Sequence, residues 1–297
     1  MIEMKNVVKT FDGFAALDGL TLTAPEGSVY GMVGPNGAGK STAIRHLAGI
    51  LRADSGEITI GGQPVFENPA VKERVAYIPD DVFFFPQATI SDMMKFYRRL
   101  YPKFDMERFS KLGEVFGIDP KRPIRKLSKG MQKQAAFWLT VSMRPDVLIL
   151  DEPVDGLDPV MRRQVWGIVM SDVAENGTTV LVSSHNLREL EDVCDHVGIM
   201  NHGKMMIERS LSELQENIVK IQLALPDGGT LPDGLDILHR SATGRLQILI
   251  LRGKAEALTN TLAAASPLFM DVVPLTLEEI FIYELGGADY AVKDIVL

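Results

Sequence analysis

The chain has 297 residues, of which 46% are hydrophobic and 24% charged, and this composition argues against an intrinsically disordered protein. Its net charge of −8 argues against broad non-specific nucleic-acid binding, which needs a positive surface. The single cysteine, Cys194, excludes an internal disulfide, and we expect a small half-buried residue there rather than a reactive thiol. No stretch approaches the ~20 apolar residues of a transmembrane helix, and no signal peptide is recognisable, so the sequence predicts a cytoplasmic protein.

Up to about residue 216, the sequence predicts a mixture of strands and helices. Residues 1–30 contain short strands between turn signals, residues 41–51 form an amphipathic helix, and residues 56–65 resemble a hairpin. Residues 89–145 have almost wholly helical patterns. "VLILDEP" and "TTVLVSSH" are rich in β-branched residues, which is typical of strands buried on both faces of a mostly parallel sheet. Between them we expect a helix that ends at Gly177.

Beyond residue 216 the pattern changes to that of a small α+β appendage without a motif of its own. The predicted strands lie in "NIVKIQLALPDGG", "RLQILILRG" and "LFMDVVPL". The predicted helices lie in "KAEALTNTLAAA" and "TLEEIFIYELGG".

The stretch "GPNGAGKST", residues 34–42, matches the pattern G-x-x-x-x-G-K-[ST] between a predicted strand and a predicted helix. Gly34, Gly37 and Gly39 allow the backbone to wrap closely, so that its N–H groups point at phosphate oxygens. Lys40 is expected to reach the β- and γ-phosphates, and the Ser41 hydroxyl to bind magnesium. We name residues 34–42 the phosphate loop; the alternative is a merely glycine-rich turn.

Asp151 and Glu152 end the predicted strand "VLILDEP", at the sheet edge where open α/β sheets bind ligands. Asp151 is expected to hold magnesium, directly or through water, and Glu152 to polarise an attacking water as general base. Two adjacent carboxylates in a dry strand end are costly without a cation, although a salt-bridged structural pair is the alternative. His185 ends a neighbouring predicted strand, where a lone histidine is usually just a hydrogen-bonded polar residue.

"LSKGMQKQ", residues 127–134, places Ser-x-Gly at the start of a predicted helix and resembles the signature motif of ABC-type ATPases. The phosphate loop, residues 146–152, "DGLD" at 155–158 and His185 add four more motifs in the order of that family. The resemblance is close over residues 1–215, and the segment "TLEEIFIYELGG" is similar to the ending of bacterial exporter ATPases.

This resemblance implies an α/β P-loop fold with an ABC ATPase domain over 1–216, which includes a helical subdomain at about 88–145. Residues 217–297 would form a C-terminal α+β accessory domain. The cofactors implied are ATP and Mg²⁺, and the catalytic residues implied are Lys40, Glu152 and His185, with His185 sensing the γ-phosphate.

The resemblance also implies a head-to-tail dimer, either a homodimer or a heterodimer with a paralogous ATPase. Each ATP would lie between the phosphate loop of one subunit and Ser128 and Gly130 of the other, with Asp158 linking the two sites. Phe11 matches the position of an aromatic ring that stacks on adenine, unless it is plain core. The ATP-binding residues implied are Phe11, Gly34, Asn36, Gly37, Ala38, Gly39, Lys40, Ser41, Thr42, Ser128, Gly130 and Asp158.

The sequence departs from the family pattern in two places. Lys129 and Met131 stand where many members have glycine and glutamine. Asp80 stands where the family usually has a glutamine that contacts magnesium or the attacking water. We expect Asp80 to reach the site through water or to favour a tightly held magnesium, and Gln87 is a less suitable substitute. The metal residues implied are therefore Ser41, Asp151 and Asp80.

The apolar run "DVFFFP", residues 81–86, follows Asp80, where the resemblance implies that a cytoplasmic helix of a membrane permease docks. An exposed patch for that helix would explain Phe83, Phe84 and Phe85. The alternative is that two of the three pack inside the helical subdomain. We therefore expect an integral membrane permease near residues 82–86, and a chain held peripherally on the inner face of the cell membrane.

The sequence thus predicts the ATP-hydrolysing subunit of an ABC transporter of exporter type. The alternatives are a soluble ABC ATPase acting on nucleic acid or ribosomes, and a degenerate ATP-binding module with a regulatory role. The negative charge and the absence of a long coiled-coil insertion argue against the first, so no nucleic-acid partner is expected. Intact Lys40, Asp151, Glu152 and His185 argue against the second.

Overall fold

The computed structural model describes residues 1–216, 218–226 and 228–285. They form two compact units: Met1–His185 with Val193–Glu208, and Asn186–Asp192 with the described residues from Arg209 onward. The functional domain boundaries expected from the sequence stay predictions. Within the described residues, no helix combines the length and the apolar character needed to span a membrane.

The first unit is built on two sheets. Its strands are β1 (Ile2–Phe11), β2 (Phe14–Ala24), β3 (Val29–Val33), β4 (Ser55–Ile60), β5 (Gln63–Pro64), β6 (Val75–Ile78), β7 (Val147–Asp151), β8 (Thr179–Ser184), β9 (His196–Asn201) and β10 (Lys204–Ser210). An antiparallel sheet has the order β2-β1-β4-β5, and β4 with β5 confirms the predicted hairpin. The second sheet has the order β10-β9-β3-β8-β7-β6, with parallel pairing from β9 to β6.

The parallel sheet explains the apolar runs of the sequence. Every residue of β3, β7 and β8 is buried, which confirms the strands expected to be covered on both faces. Because these strands are parallel neighbours, their carboxyl ends meet at one edge of the sheet. The phosphate loop, Glu152 and His185 directly follow those three ends.

Helices connect these strands. They are α1 (Lys40–Leu47), α2 (Pro69–Lys72), α3 (Ile90–Leu100), α4 (Met106–Phe116), α5 (Lys129–Val141) and α6 (Pro159–Asn176), with a 3-10 turn at Ile124–Lys126. Local chemistry sets their ends: Thr89 and Asp92 form a capping box at the start of α3, and the Asp105 side chain caps α4. Gly177, in the left-handed conformation, ends α6 as predicted.

The single cysteine lies in the core of the first unit. Cys194 is buried, and the expectation of a half-buried residue is wrong in that respect. Desolvation, assisted by the negative charge of Asp195, raises the pKa of the Cys194 thiol far above its usual range. The reactive thiolate is therefore scarce at neutral pH, and the residue acts as a small core side chain.

The second unit contains a mixed α+β fold of its own. Its elements are α7 (Leu211–Glu216), β11 (Ile218–Ala224), β12 (Ile237–Thr243), β13 (Leu246–Arg252), α8 (Ala255–Ala263), β14 (Phe269–Val273) and α9 (Leu277–Leu285). The antiparallel sheet has the order β12-β13-β11-β14. β12 escapes prediction because nearly all of its side chains are exposed, so it lacks an apolar pattern. The end of the predicted helix "TLEEIFIYELGG", at 286–287, lies outside the described residues.

Gly113 in α4 lies against the indole ring of Trp138 in α5. A Cβ atom at Gly113 would lie 2.7 Å from Cζ2 of Trp138, too close without a shift of one of the two helices. The indole is fixed, because it stacks on Phe109 with ring centroids 4.7 Å apart and donates its Nε1–H to the Phe109 carbonyl at 2.7 Å. The contact between α4 and α5 therefore requires glycine at this position.

We expect Gly113→Ala to destabilise the protein by about 1–3 kcal/mol, because the added methyl group overpacks a fixed contact. Gly167→Ala in α6 is the matched control, since its Cβ would meet nothing within 4 Å. That substitution should stabilise the protein by up to ~1 kcal/mol through helix propensity. Denaturant unfolding followed by circular dichroism measures both changes, and a Gly113→Ala variant as stable as wild type would contradict the packing argument.

Candidate functional site

The phosphate loop connects β3 to α1, and two of its three glycines, Gly34 and Gly39, fit contacts made by the chain itself. A Cβ at Gly34 would overlap the carbonyl oxygen of Met200. A Cβ at Gly39 would lie 2.6 Å from the Ala16 carbonyl oxygen, and the Gly39 φ of +103° is strained for any other residue. The loop shape expected from the sequence therefore has a steric cause within the chain.

Lys40 begins α1 with a buried side chain. Its Nζ donates to the carbonyl oxygen of Gly34 at 2.6 Å and lies 3.6 Å from Oε1 of Glu152. Burial lowers the pKa of the Lys40 ammonium, while the carboxylates of Glu152 and Asp151 oppose that shift. A buried cation held in this way at the mouth of a glycine-rich loop suits the binding of an anionic phosphate.

Asp151 forms the floor of the site at the end of β7. Its Oδ1 accepts hydrogen bonds from the hydroxyls of Ser41 at 3.2 Å and Ser183 at 2.7 Å. An oxygen pair such as Ser41 and Asp151 fits Mg²⁺, which takes few protein ligands and keeps its other positions for water and phosphate. Among the described residues, no cluster of three or more His, Cys, Asp or Glu side chains forms a complete metal cage.

Glu152 has an unusual backbone, with φ at +46° in the left-handed region. Its N–H donates to Oγ of Ser183 at 3.1 Å, and its carbonyl accepts from Nζ of Lys133 at 2.8 Å. The carboxylate then meets the ring of His185, with 2.9 Å between Oε2 and Nδ1. Two strand ends that are 33 residues apart in sequence therefore bring a carboxylate and an imidazole together.

Lys40, Ser41, Asp151, Glu152 and His185 thus form one group, which we name the carboxylate cluster. No hydrogen bond or ion pair among the described residues joins it to Ser128, Asp158 or Phe11. Ser128 caps α5 and accepts from the Met131 N–H at 3.3 Å. Asp158 caps α6 and accepts from the Val160 and Met161 N–H groups at 3.0 Å each.

The remaining expected ATP-binding positions differ in exposure. Phe11 is 43% exposed with Nζ of Lys9 5.4 Å from its ring centroid, so the alternative that it is plain core is wrong. In the phosphate loop, Asn36 is exposed, Ala38 is buried and Thr42 is half-buried. A Cβ at Gly130 would make only ordinary contacts, the nearest at 3.5 Å, so packing within the chain does not require glycine there.

Asp80 contacts a residue that its sequence position does not suggest. Its Oδ1 lies 3.1 Å from Nζ of Lys133 in α5. Its approach to magnesium stays a prediction, and Gln87 is exposed. Lys133 and Ser183, whose side chains hydrogen-bond to the Glu152 backbone, are missed by sequence reasoning. The sequence offers two weak indications of them. Lys133 directly precedes a run of buried helical residues, and Ser183 is the first of two serines before His185.

The phenylalanine run is divided between core and surface. Phe84 is buried, whereas Phe83 is 75% exposed and Phe85 is 50% exposed. The alternative that two of the three pack inside is therefore wrong. Phe85 contacts the half-exposed ring of Phe96 edge to face, with centroids 5.2 Å apart, so the apolar surface continues onto α3.

Comparison with known proteins gives the site its context. The family model described as ABC transporter matches residues 17–155. The ABC transporter ATP-binding protein YtrB of Bacillus subtilis (strain 168) is 32% identical over 290 residues, which are 97% of this chain and 99% of that protein. The daunorubicin/doxorubicin resistance ATP-binding protein DrrA of Streptomyces peucetius is 35% identical over 232 residues, 75% of this chain and 70% of that protein.

Comparison with solved structures gives the same family context. An ATP-binding subunit of an ABC transporter is 25% identical with a TM-score of 0.68, over 72% of this chain and 92% of that one. A dimeric cassette in a post-hydrolysis state with ADP and phosphate has the same fold, with 19% identity and a TM-score of 0.65 over 71% of this chain. The chain has the phosphate loop and the strand-end carboxylate pair, and it matches a relative over nearly its full length. It therefore belongs to the ATP-binding proteins of ABC transporters and is an ATPase of that family.

Proposed function

We propose that the chain hydrolyses MgATP at the interface of two such subunits, and that this drives a separate membrane permease working as an exporter. The observation that carries the proposal of ATP hydrolysis is the carboxylate cluster. In it the Glu152 carboxylate lies 3.6 Å from Nζ of the buried Lys40 and 2.9 Å from Nδ1 of His185. The exporter assignment is supported by relatives such as the daunorubicin/doxorubicin resistance protein, which covers 75% of this chain.

In the proposed reaction, water attacks the γ-phosphorus, the bond to the β,γ-bridging oxygen breaks, and ADP and phosphate leave. Glu152 accepts the proton of the attacking water as general base. Lys40 binds the phosphates, and His185 orients Glu152 and responds to the γ-phosphate. Mg²⁺, when bound by Ser41 and Asp151, would neutralise phosphate charge.

The second subunit enters through the signature helix α5. The Ser128 side chain accepts only from the Met131 N–H, and Ser128 and Lys129 are exposed, so the positive end of α5 is accessible to an anion. In the proposed dimer this end and Gly130 contact the γ-phosphate bound by the other subunit. A two-fold arrangement makes two such sites, in a homodimer or with a paralogue.

The permease is proposed to dock on the apolar surface formed by Phe83, Phe85 and Phe96. Large exposed aromatic rings in contact with each other are typical of partner-binding surfaces. This docking would hold the chain peripherally on the inner face of the membrane. The charge of −8 disfavours the rival function, an ABC ATPase that acts on nucleic acid or ribosomes.

The docking proposal is tested by affinity capture of the full chain from its native membranes. A Phe83→Ser/Phe85→Ser variant removes both exposed rings and keeps the buried Phe84. We expect one integral membrane protein with wild type, and at least about a ten-fold loss with the variant, since anchor residues often contribute more than 1.4 kcal/mol.

Phe269→Ser is the matched control, because that ring is 48% exposed on β14 of the second compact unit. It should recover the membrane protein as well as wild type does. Equal recovery by the Phe83→Ser/Phe85→Ser variant would refute this docking surface. Recovery of only soluble partners by wild type would refute the transporter function and favour the soluble ATPase.

A further inference from the structure

Lys133 is a buried cation with no assigned role. It lies in the second turn of α5, five residues after the capping Ser128, and only 8% of it is exposed. Lysine is almost never this buried unless its ammonium is paired. Its partners therefore indicate why the chain keeps a positive charge there.

The ammonium of Lys133 has three N–H donors, and three oxygen atoms of neighbouring residues accept hydrogen bonds from it. Nζ donates to Oδ1 of Asp80 at 3.1 Å, to the carbonyl of Glu152 at 2.8 Å and to the carbonyl of Asp155 at 3.1 Å. Every N–H of the group is used. One side chain thus ties three segments together: the loop after β6, the loop after β7 and helix α5.

The carbonyl of Glu152 is the informative acceptor. Glu152 is held in the left-handed region, which a residue with a side chain leaves readily unless its surroundings fix it. The Asp155 N–H makes a long contact of 3.4 Å with the Glu152 carbonyl, whereas the short hydrogen bonds to the Glu152 backbone are two: its N–H donates to the Ser183 hydroxyl, and its carbonyl accepts from Nζ of Lys133. Because φ and ψ of Glu152 set the direction of its Cβ, these two hydrogen bonds aim the carboxylate at Lys40 and His185.

We propose that Lys133 is a positioning residue for ATP hydrolysis: it fixes the left-handed backbone of Glu152, and Asp80 is its counter-ion. This inference rests on the proposed role of Glu152 as general base. The Asp80 side chain is 56% exposed, so solvent screens its attraction and its part is smaller than that of the two carbonyls.

A positioning role has a kinetic signature. Lys133→Met keeps most of the length of the side chain and removes all three donors, so the Glu152 carbonyl loses its shorter hydrogen bond while Lys40 and the phosphate loop remain. We expect kcat of the full-length chain with MgATP to fall about 10- to 100-fold, the usual cost of a displaced catalytic group, with KM within two-fold of wild type. Lys111→Met, at an exposed lysine of α4, is the matched control and should leave both constants unchanged.

Asp80→Asn tests the counter-ion role. It should lower kcat by a few-fold alone and by nothing further in the Lys133→Met background, because its effect acts through Lys133. An equal effect of Asp80→Asn in both backgrounds, or a change in magnesium dependence that persists without Lys133, would overturn this role and favour a direct metal contact.

Folding and function are separated by two further measurements. Circular dichroism and the Kd of a fluorescent ATP analogue establish that each variant is folded and binds nucleotide. Should Lys133→Met not fold, Lys133→Leu, which also carries no donor, replaces it under the same criteria. A kcat within two-fold of wild type in a folded variant would overturn the positioning role. Glu152→Gln is measured in parallel: if it retains more than a tenth of wild-type kcat, the general-base role of Glu152 in the proposed function fails, whatever Lys133 does.

Discussion

Glu152→Gln is expected to lower ATP turnover by roughly 10²- to 10⁴-fold while nucleotide binding persists, because the amide cannot accept the proton of the attacking water. The side chain keeps its size, so the left-handed backbone and its bonds to Ser183 and Lys133 are retained. Steady-state phosphate release gives kcat, and titration with a fluorescent ATP analogue gives Kd.

The matched control for this prediction is Glu114→Gln, an exposed position on α4 that should turn over ATP at the wild-type rate. A Glu152→Gln variant retaining more than a tenth of wild-type kcat would exclude Glu152 as the general base. In that case the close pairing of Glu152 with His185 and Lys40 would be structural, as the salt-bridged alternative holds.

Lys40→Met is expected to weaken ATP binding by roughly 30-fold or more, because losing one partner of a buried charge pair costs about 2 kcal/mol or more. The ammonium is already held at the loop by the Gly34 carbonyl at 2.6 Å. A phosphate therefore meets a positioned cation and does not have to order a flexible side chain. The measurement is the Kd of the same fluorescent analogue, with and without magnesium.

Lys72→Met provides a close control for this substitution. Nζ of Lys72 also donates to a glycine carbonyl, that of Gly49 at 2.9 Å, but it lies outside the phosphate loop. This variant should bind nucleotide as wild type does. If Lys40→Met also binds ATP with wild-type affinity, the phosphate loop is a structural turn, and nucleotide binding must be sought elsewhere.

Local sequence patterns predicted much of this site. The phosphate loop falls between a buried strand and an amphipathic helix, and Asp151 ends a fully buried strand, so neighbouring residues alone place both. The parallel order of β3, β8 and β7 then brings His185 to Glu152. The placement of these segments was predictable because each depends on one segment and on the rule that parallel strands end at one edge, whereas their roles toward ATP stay predictions.

The contacts of Lys133 and Asp80 were not predictable in this way. The two residues are 53 positions apart, and neither segment carries a pattern that points to the other. Likewise, the run from Phe83 to Phe85 gave no means of choosing the single buried ring, because a loop has no fixed period of exposure. The missing information was the long-range contact in the first case and the irregular backbone of the loop in the second.

The glycines of the phosphate loop have a consequence for how such sequences are interpreted. Gly34 and Gly39 leave no room for a side chain because backbone oxygens of Met200 and Ala16 occupy that space. Folding alone is sufficient to preserve them, even in a lineage that has lost its enzymatic chemistry. Glycine spacing therefore indicates the fold, whereas Lys40 and Glu152 are the residues that indicate the proposed catalytic function.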